Sequence, residues 1–286
     1  MTEPVVVDRV VRLSPLVRRL TQNNPGPFTG PGTNTHLIGT TEIIILDPGE
    51  DRDDGHHDHL VAAVGDARVT AIVPSHGHPD HWTLAQRLAD TLRAPIRFFG
   101  THPEFRVDQP IAADEILEAA GVRLHAFLTP GHTADHLCFH LAQERALFPG
   151  DMVMAWSTSI IAPPDGDLRH YLASLERLLA IPDLTVLYPA HGVAIDRPYD
   201  RMNELLRHRH QRTRQALDAL AAGPSRLDAM VRRIYADVDP RLHPAAAQSL
   251  LAHLIALEAD GRVEREGHQA EDLDQATWRL SNNVPA

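Results

Sequence analysis

Ser75-His76-Gly77-His78-Pro79-Asp80-His81 puts three imidazoles and a carboxylate into six residues. At the histidine and acid frequencies of this chain, the pattern His-x-His-x-acid-His is expected only about 0.01 times by chance, so composition does not account for it. Imidazole nitrogen with carboxylate oxygen is the donor set that suits zinc, manganese or iron without thiolate. Four such groups exceed what one tetrahedral ion with an open position accepts, which points to two metals. Three further polar loops each offer one more ligand: His132 in Pro130-Gly131-His132-Thr133, Asp151 in Pro149-Gly150-Asp151, and His191 in Pro189-Ala190-His191-Gly192. Alone, each reads as a hydrogen-bonded turn. Beside the first motif, they read as ligands.

Loops so far apart in sequence converge only if a scaffold brings them to one edge. Short apolar runs punctuated by Gly, Pro and Asp predict strands at Thr35–Ile38, Ile43–Leu46, Val69–Val73, Val122–Leu128, Leu137–Leu141, Ala146–Phe148 and Leu184–Tyr188. Helical spacing is predicted at about 56–64, 82–93, 113–119 and 168–180. Each candidate ligand loop follows a strand, and the alternation argues for an α/β layered domain over 1–199. After Tyr188 the pattern changes to three helices at 200–222, 226–236 and 244–259, then two short strands at 261–265 and 277–280. Three helices and a two-stranded wing predict a winged-helix-like domain over 200–286, with the boundary near Pro198 to Asp200. The tail Ser281–Ala286 reads as loose.

Composition narrows the class. At 286 residues, 43% hydrophobic and 23% charged, the chain is a globular protein large enough for two domains. The net charge of −11 disfavours a dedicated nucleic-acid binder, which needs a basic footprint. Residues 1–199 carry −10 of that charge and 200–286 only −1. All 27 basic residues are Arg, with no Lys. The lone Cys138 excludes disulfides within the chain and four-cysteine zinc sites; it reads as a small buried hydrophobe. An early acid, no apolar leader at Met1–Arg9 and no membrane-length apolar run predict a cytoplasmic protein without a membrane partner.

The series His76-x-His78-x-Asp80-His81, then His132, Asp151 and His191, resembles the metallo-β-lactamase-fold hydrolase superfamily. Asn24-Pro25-Gly26-Pro27-Phe28-Thr29-Gly30-Pro31-Gly32-Thr33-Asn34-Thr35 with the C-terminal winged-helix-like segment is similar to the branch containing beta-lactamase-like protein 2. The resemblance covers nearly the whole chain. His36 and Ala190 depart from it, where an aromatic residue and glycine are expected; neither is an expected ligand, and they mark a different pocket rim. The resemblance implies an αββα sandwich with two divalent metal ions at one edge, zinc first, then manganese or iron. It implies that His76, His78 and His132 hold the first metal, Asp80, His81 and His191 the second, and that Asp151 bridges. Such a pair makes hydroxide available between the ions at neutral pH and clamps the substrate oxygen; Asp80 both ligates and orients that nucleophile.

Other residues invite roles. His56, His57 and His59 beside Asp54 and Asp58 scatter around a helix capped by Asp53 or Asp54, and read as a surface helix. His136 stands behind the ligands or packs in a strand; Trp156-Ser157-Thr158-Ser159 lines a pocket or forms a polar turn. Tyr171, with Leu172, Leu175 and Leu178, reads as core, and Arg207–Arg214 as a solvated helix face.

The expected function is metal-dependent hydrolysis of an ester- or thioester-type bond in a small-molecule substrate. Alternatives are an endoribonuclease on single-stranded RNA, as resemblance to the eukaryotic branch member implies, and a glyoxalase II-like hydroxyacylglutathione hydrolase. The acidity opposes the first, and the missing lysine of a glutathione grip opposes the second. A non-enzymatic metal-binding nucleic-acid regulator is the remaining alternative; against it, the basic run lies on the first C-terminal helix and not on the Leu-rich third. The C-terminal module is expected to serve as a pocket wall or a homodimer surface.

Overall fold

The computed structural model describes residues 4–266 and 276–282; the first residues of the expected leaderless N-terminus and most of the expected loose tail lie outside them. Two compact units emerge: one of Met1–Thr129, Asp135–Thr158 and Arg177–Arg201, the other of Pro130–Ala134, Ser159–Glu176 and Met202–Ala286.

The first unit is built on two five-stranded sheets. One runs β1 (Val10–Arg12), β2 (Val17–Thr21), β3 (Asn34–Gly39), β4 (Glu42–Leu46), β5 (Arg68–Val73); the other, in spatial order, runs β12 (Val186–Leu187), β11 (Ala146–Phe148), β10 (Leu137–Leu141), β9 (Val122–Leu128), β8 (Ile116–Ala119). The period-two alternation of strands sorts their residues. Ile38, Ile44, Leu46 and Val73 share one core with Leu124, Ala126, Phe139 and Phe148 of the second sheet. Leu37, Ile43, Ile45 and Ile72 face the other way, onto α1 (Asp54–Val64) and α3 (Ala85–Leu92) through Leu60, Val64, Ala85 and Leu88. Central strands covered on both faces read as continuous apolar runs, as Ile43–Leu46 does.

Pairing corrects one helix. The segment predicted helical at 113–119 contains strand β8, antiparallel to β9 with Ala119 opposite Val122. Its Ala, Leu and Glu favour a helix, but Ala120-Gly121 turns the chain directly into β9, with Gly121 at φ +75°, and tertiary pairing overrides the propensity. The helix expected at 82–93 is instead the four-residue α2 (Pro79–Trp82) followed by α3. Strands β1, β2, β6 (Arg97–Phe99) and β7 (Gln109–Ile111) were not anticipated.

The second unit contains α6 (Leu227–Ile234) and α7 (His243–Ala259) around Leu250, Leu254, Met230 and the fully buried Trp278. Its wing has three strands where two were expected: β13 (Ser225–Arg226) joins β15 (Thr277–Leu280), which pairs with β14 (Val263–Glu266). The helices α4 (Leu168–Leu179) and α5 (Pro198–Ala221) match the expected ranges. Among the described residues no helix is long and apolar enough to cross a membrane.

Candidate metal centre

Six of the seven expected ligands meet at one edge of the first unit, each from the loop that ends a strand. His76 and His78 follow β5. The backbone there is fixed from both sides: the Ser75 amide donates to Asp47 Oδ1 (2.7 Å), and the Leu137 amide to the Ser75 carbonyl (2.8 Å). His76 Nε2 and His78 Nδ1 stand 2.9 Å apart. Asp80 and His81 ride on α2, started by Pro79, whose fixed φ suits a first helical position. Asp151 follows β11 across Gly150, at φ +50°; a Cβ there would lie 2.6 Å from His136 Nε2, so glycine is required on both counts.

Ligand atoms of His76, His81 and Asp151 lie within 4.8 Å of one another, and so do those of Asp80, His81 and His191. Asp80 Oδ2 is 3.5 Å from His81 Nε2 and 3.3 Å from His191 Nε2, and Asp151 Oδ1 is 3.3 Å from His191 Nε2. His191 Nδ1 faces the Gly32 carbonyl at 3.3 Å, the geometry in which Nδ1–H donates and Nε2 turns to the carboxylates. Buried Asn34 clamps the His191 loop by donating to the carbonyls of Pro189 and Gly192, both at 2.9 Å.

His132 belongs to the second unit, where its Nδ1 faces the Ile160 carbonyl at 2.7 Å, the geometry in which Nδ1–H donates and Nε2 is the nitrogen suited to ligation. Its loop depends on Gly131, at φ +141° with backbone atoms of Tyr171 within 2.4 Å of where a Cβ would stand.

Electrostatics of the cluster are set by carboxylates around buried imidazoles. Burial alone would lower the His81 pKa, but Asp80, Asp47 and Asp151 overcome it and raise the group to about 9. Burial opposes protonation of His191 too, and Asp151 and Asp80 push it well above the ordinary value. Burial would raise Asp80, yet the charges of His81 and His191 hold it at about 2. Among the described residues, the buried His81 Nε2 has no hydrogen-bond partner, although two carboxylates face it. A buried imidazole nitrogen among carboxylates suits a divalent cation that replaces its proton, and the donor set fits one.

Sequence reasoning missed Asp47. It sits just past β4 at φ +50°, accepts the Ser75 amide and approaches His81 Nδ1 at 3.2 Å, orienting that imidazole. Asp47-Pro48-Gly49 after a strand was its only signal. His136 resolves to support, not ordinary strand packing: its Nε2 accepts the Asp151 amide at 3.1 Å while Nδ1 faces Thr129 Oγ1 at 3.0 Å.

Other expectations change. Asp53 does cap α1, accepting from the Gly55 amide, but His56 and His57 are buried and not on a surface face; His56 meets Thr35 Oγ1, and burial lowers its pKa to about 4. His36 is no rim residue: it is buried with its ring 5.1 Å from that of Phe148, and burial holds it at about 3. Ala190 is likewise buried. Tyr171 is core, as expected, and Cys138 is buried, which raises its thiol to about 12. The Arg207–Arg214 run is not uniformly solvated. Arg209 is buried, donates to the Ser159 carbonyl and stacks 4.9 Å from the Tyr171 ring, and Arg212 stacks 4.4 Å from Tyr235.

The family profile of the metallo-beta-lactamase superfamily matches residues 28–101 and 100–191, more than half of the chain. The chain belongs to the metallo-beta-lactamase superfamily. A beta-lactamase associated winged helix domain matches residues 227–278, so the expected sandwich with a C-terminal winged helix is borne out. The chain is 32% identical over 269 residues to a beta-lactamase-like protein 2 homolog of Caenorhabditis elegans, covering 90% of this chain and 89% of that one. It is 32% identical over 225 residues to the atrochrysone carboxyl ACP thioesterase dmxR1 of Cryptosporiopsis sp. (strain 8999), covering 77% and 68%. A beta-lactamase domain protein from Burkholderia ambifaria has the same fold, at a TM-score of 0.81 and 20% identity over 96% of this chain and 94% of that one. As a metallo-beta-lactamase superfamily member the chain is a hydrolase, and its His/Asp cluster is the candidate metal site.

Proposed function

We propose that this protein hydrolyses an ester- or thioester-type bond of a small molecule with two divalent cations, zinc foremost, at the edge formed by His76, His78, Asp80, His81, His132, Asp151 and His191. The observation that carries the reading is the pair of ligand triads sharing His81, with Asp151 between His81 and His191. His76, His78 and His132 would hold one cation, Asp80, His81 and His191 the other, and Asp151 both. When bound, the cations supply Lewis-acid polarisation of the substrate carbonyl and a water acidified toward pH 7.

The protein's own groups set the rest of the chemistry. Asp80, whose side chain is 21% exposed, is the ligand carboxylate with access to solvent; at about pKa 2 it is ionised, so its oxygen accepts a hydrogen bond from the attacking water and orients it. In hydrolysis of a thioester the new C–O bond replaces the C–S bond. The acid leaves as a carboxylate and the sulfur as a thiol or thiolate, which needs no strong general acid.

Thioester cleavage is favoured by the relative named as an acyl-carrier thioesterase. RNA cleavage has no comparable support, because Arg209 and Arg212 of the basic run are spent on Tyr171 and Tyr235. The test compares wild type with Asp80→Asn on an aryl thioester, lactoylglutathione, a bis-aryl phosphate and single-stranded RNA. The expected result is thioester turnover in wild type and a loss of about 100-fold or more in the variant; equal rates for both proteins on every substrate overturn the proposal.

A further inference from the structure

We infer that Trp156 is a specificity-determining residue, an aromatic platform beside the metal centre that receives the apolar or aromatic acyl group of the substrate. The inference rests on the hydrolase reading above. Trp156 is 46% exposed, and the one other exposed aromatic among the large hydrophobic side chains of the described residues is Phe28, two residues before Gly30.

The indole is seated on purpose-built backbone. A Cβ added to Gly30 would stand 2.6 Å from its Cζ2, and a Cβ added to Gly192 would stand 2.6 Å from its Cζ3. The six-membered ring therefore rests on both glycines, and any side chain at either position would displace it. Both glycines also hold left-handed backbone, at φ +58° and +82°. The seat is continuous with the ligands. Gly192 adjoins His191, Gly32 receives His191 Nδ1, and Trp156 lies five residues beyond Asp151. Arg201 fixes the segment that carries the ring, donating through Nε to the Met154 carbonyl at 2.8 Å and through Nη2 to the Ser157 carbonyl.

A ring held only for packing would be covered. An incidental surface tryptophan would not need two glycines under it. Nearly half of this residue is instead left in water, on the glycine that adjoins His191. A flat π surface fixed in that place is complementary to an alkyl chain or an arene attached to the scissile carbonyl, and burying that group against it contributes both affinity and selection.

The test measures kcat/KM on N-acetylcysteamine thioesters of acetyl, hexanoyl, benzoyl and naphthoyl groups for wild type, Trp156→Ala and Trp156→Phe. The expected result is a loss of about tenfold or more for the large acyl groups in the alanine variant, carried by KM, a change under about twofold for acetyl, and recovery of most of the loss in the phenylalanine variant. Metal content is measured alongside and stays at the wild-type level. An equal loss across the series, or none, overturns the inference. A second measurement does not need turnover. Trp82 and Trp278 are buried, so fluorescence quenchable by acrylamide belongs to Trp156. Naphthoate should shield that emission in wild type, and unshielded quenching at saturating naphthoate overturns the platform. If wild type cleaves none of the thioesters while naphthoate still shields Trp156, the thioester reading fails and the platform stands.

Discussion

His81 is surrounded by more negative charge than an imidazole can neutralise alone: Asp47 at Nδ1, and Asp80 and Asp151 toward Nε2. Without cations the site holds itself together with protons. The His81 pKa is raised from 6.5 to about 9 on folding, so its contribution to stability is complete below pH 6.5 and is lost as pH rises through about 9. Chelator-treated protein should therefore lose Tm between pH 6.5 and 9.5, a slope that cation-loaded protein lacks. A flat or rising Tm for the stripped protein would contradict the arrangement. Filling the site near pH 7 must also expel the protons of His81 and His191, roughly two per site, seen as a buffer-dependent enthalpy in calorimetry. Asp47 is ranked among the supports of the site, and Asp47→Asn should weaken cation affinity by about 10–100-fold in a chelator competition while Tm of the loaded protein changes little. The candidate ligands from His76 to His81 were legible because their spacing is improbable by chance. Asp47 was not, because Asp-Pro-Gly after a strand is ordinary turn chemistry and its partner lies 34 residues on. The burial of His56 and His57 was hidden for a related reason: helix periodicity showed that the two point in different directions, but not that neighbouring Thr35 and Thr91 would cover both.

Elements matter through where they stop. Each ligand loop begins where a strand of the sandwich ends, and the last strand residue sets the direction of the loop. Gly150 shows how little slack there is between β11 and Asp151, with the His136 ring and Ser75 Oγ both against its α-carbon side. Gly150→Ala should cost about 1–3 kcal/mol in denaturant unfolding and lower cation occupancy with it, because the displaced His136 supports the Asp151 amide. Unchanged occupancy would show that the His136 bond is dispensable. The long apolar strands were legible from their runs of Ile, Val and Leu. The short ones were not: in β1 and β2, Arg12, Arg18, Arg19 and Thr21 dilute the apolar pattern, and β8 reads as helix until its hairpin with β9 is known. Strand identity there is decided by the partner and not by the segment.

At the scale of the whole molecule, charge and composition set what the chain meets. The −10 of residues 1–199 suits the proposed metal centre and opposes polyanion binding. Arg209→Ala should lower Tm by several degrees, because it unstacks Tyr171 and removes a hydrogen bond to the buried Ser159 carbonyl, while leaving affinity for single-stranded RNA unchanged and negligible. Tighter RNA binding in wild type than in the variant, at equal Tm, would reverse that reading. That a winged helix follows the sandwich was visible in the change of periodicity after Tyr188. That residues 159–176 cluster with the C-terminal helices was not, since no local pattern encodes that association. The central claim is a two-cation hydrolytic site. Its most direct test is cation stoichiometry by elemental analysis, measured in parallel with thioester turnover during zinc or manganese titration of chelator-stripped protein. Two equivalents per chain, with turnover that appears as the site fills and disappears on stripping, is the predicted result; fewer than one equivalent, or full turnover in the stripped protein, would contradict it.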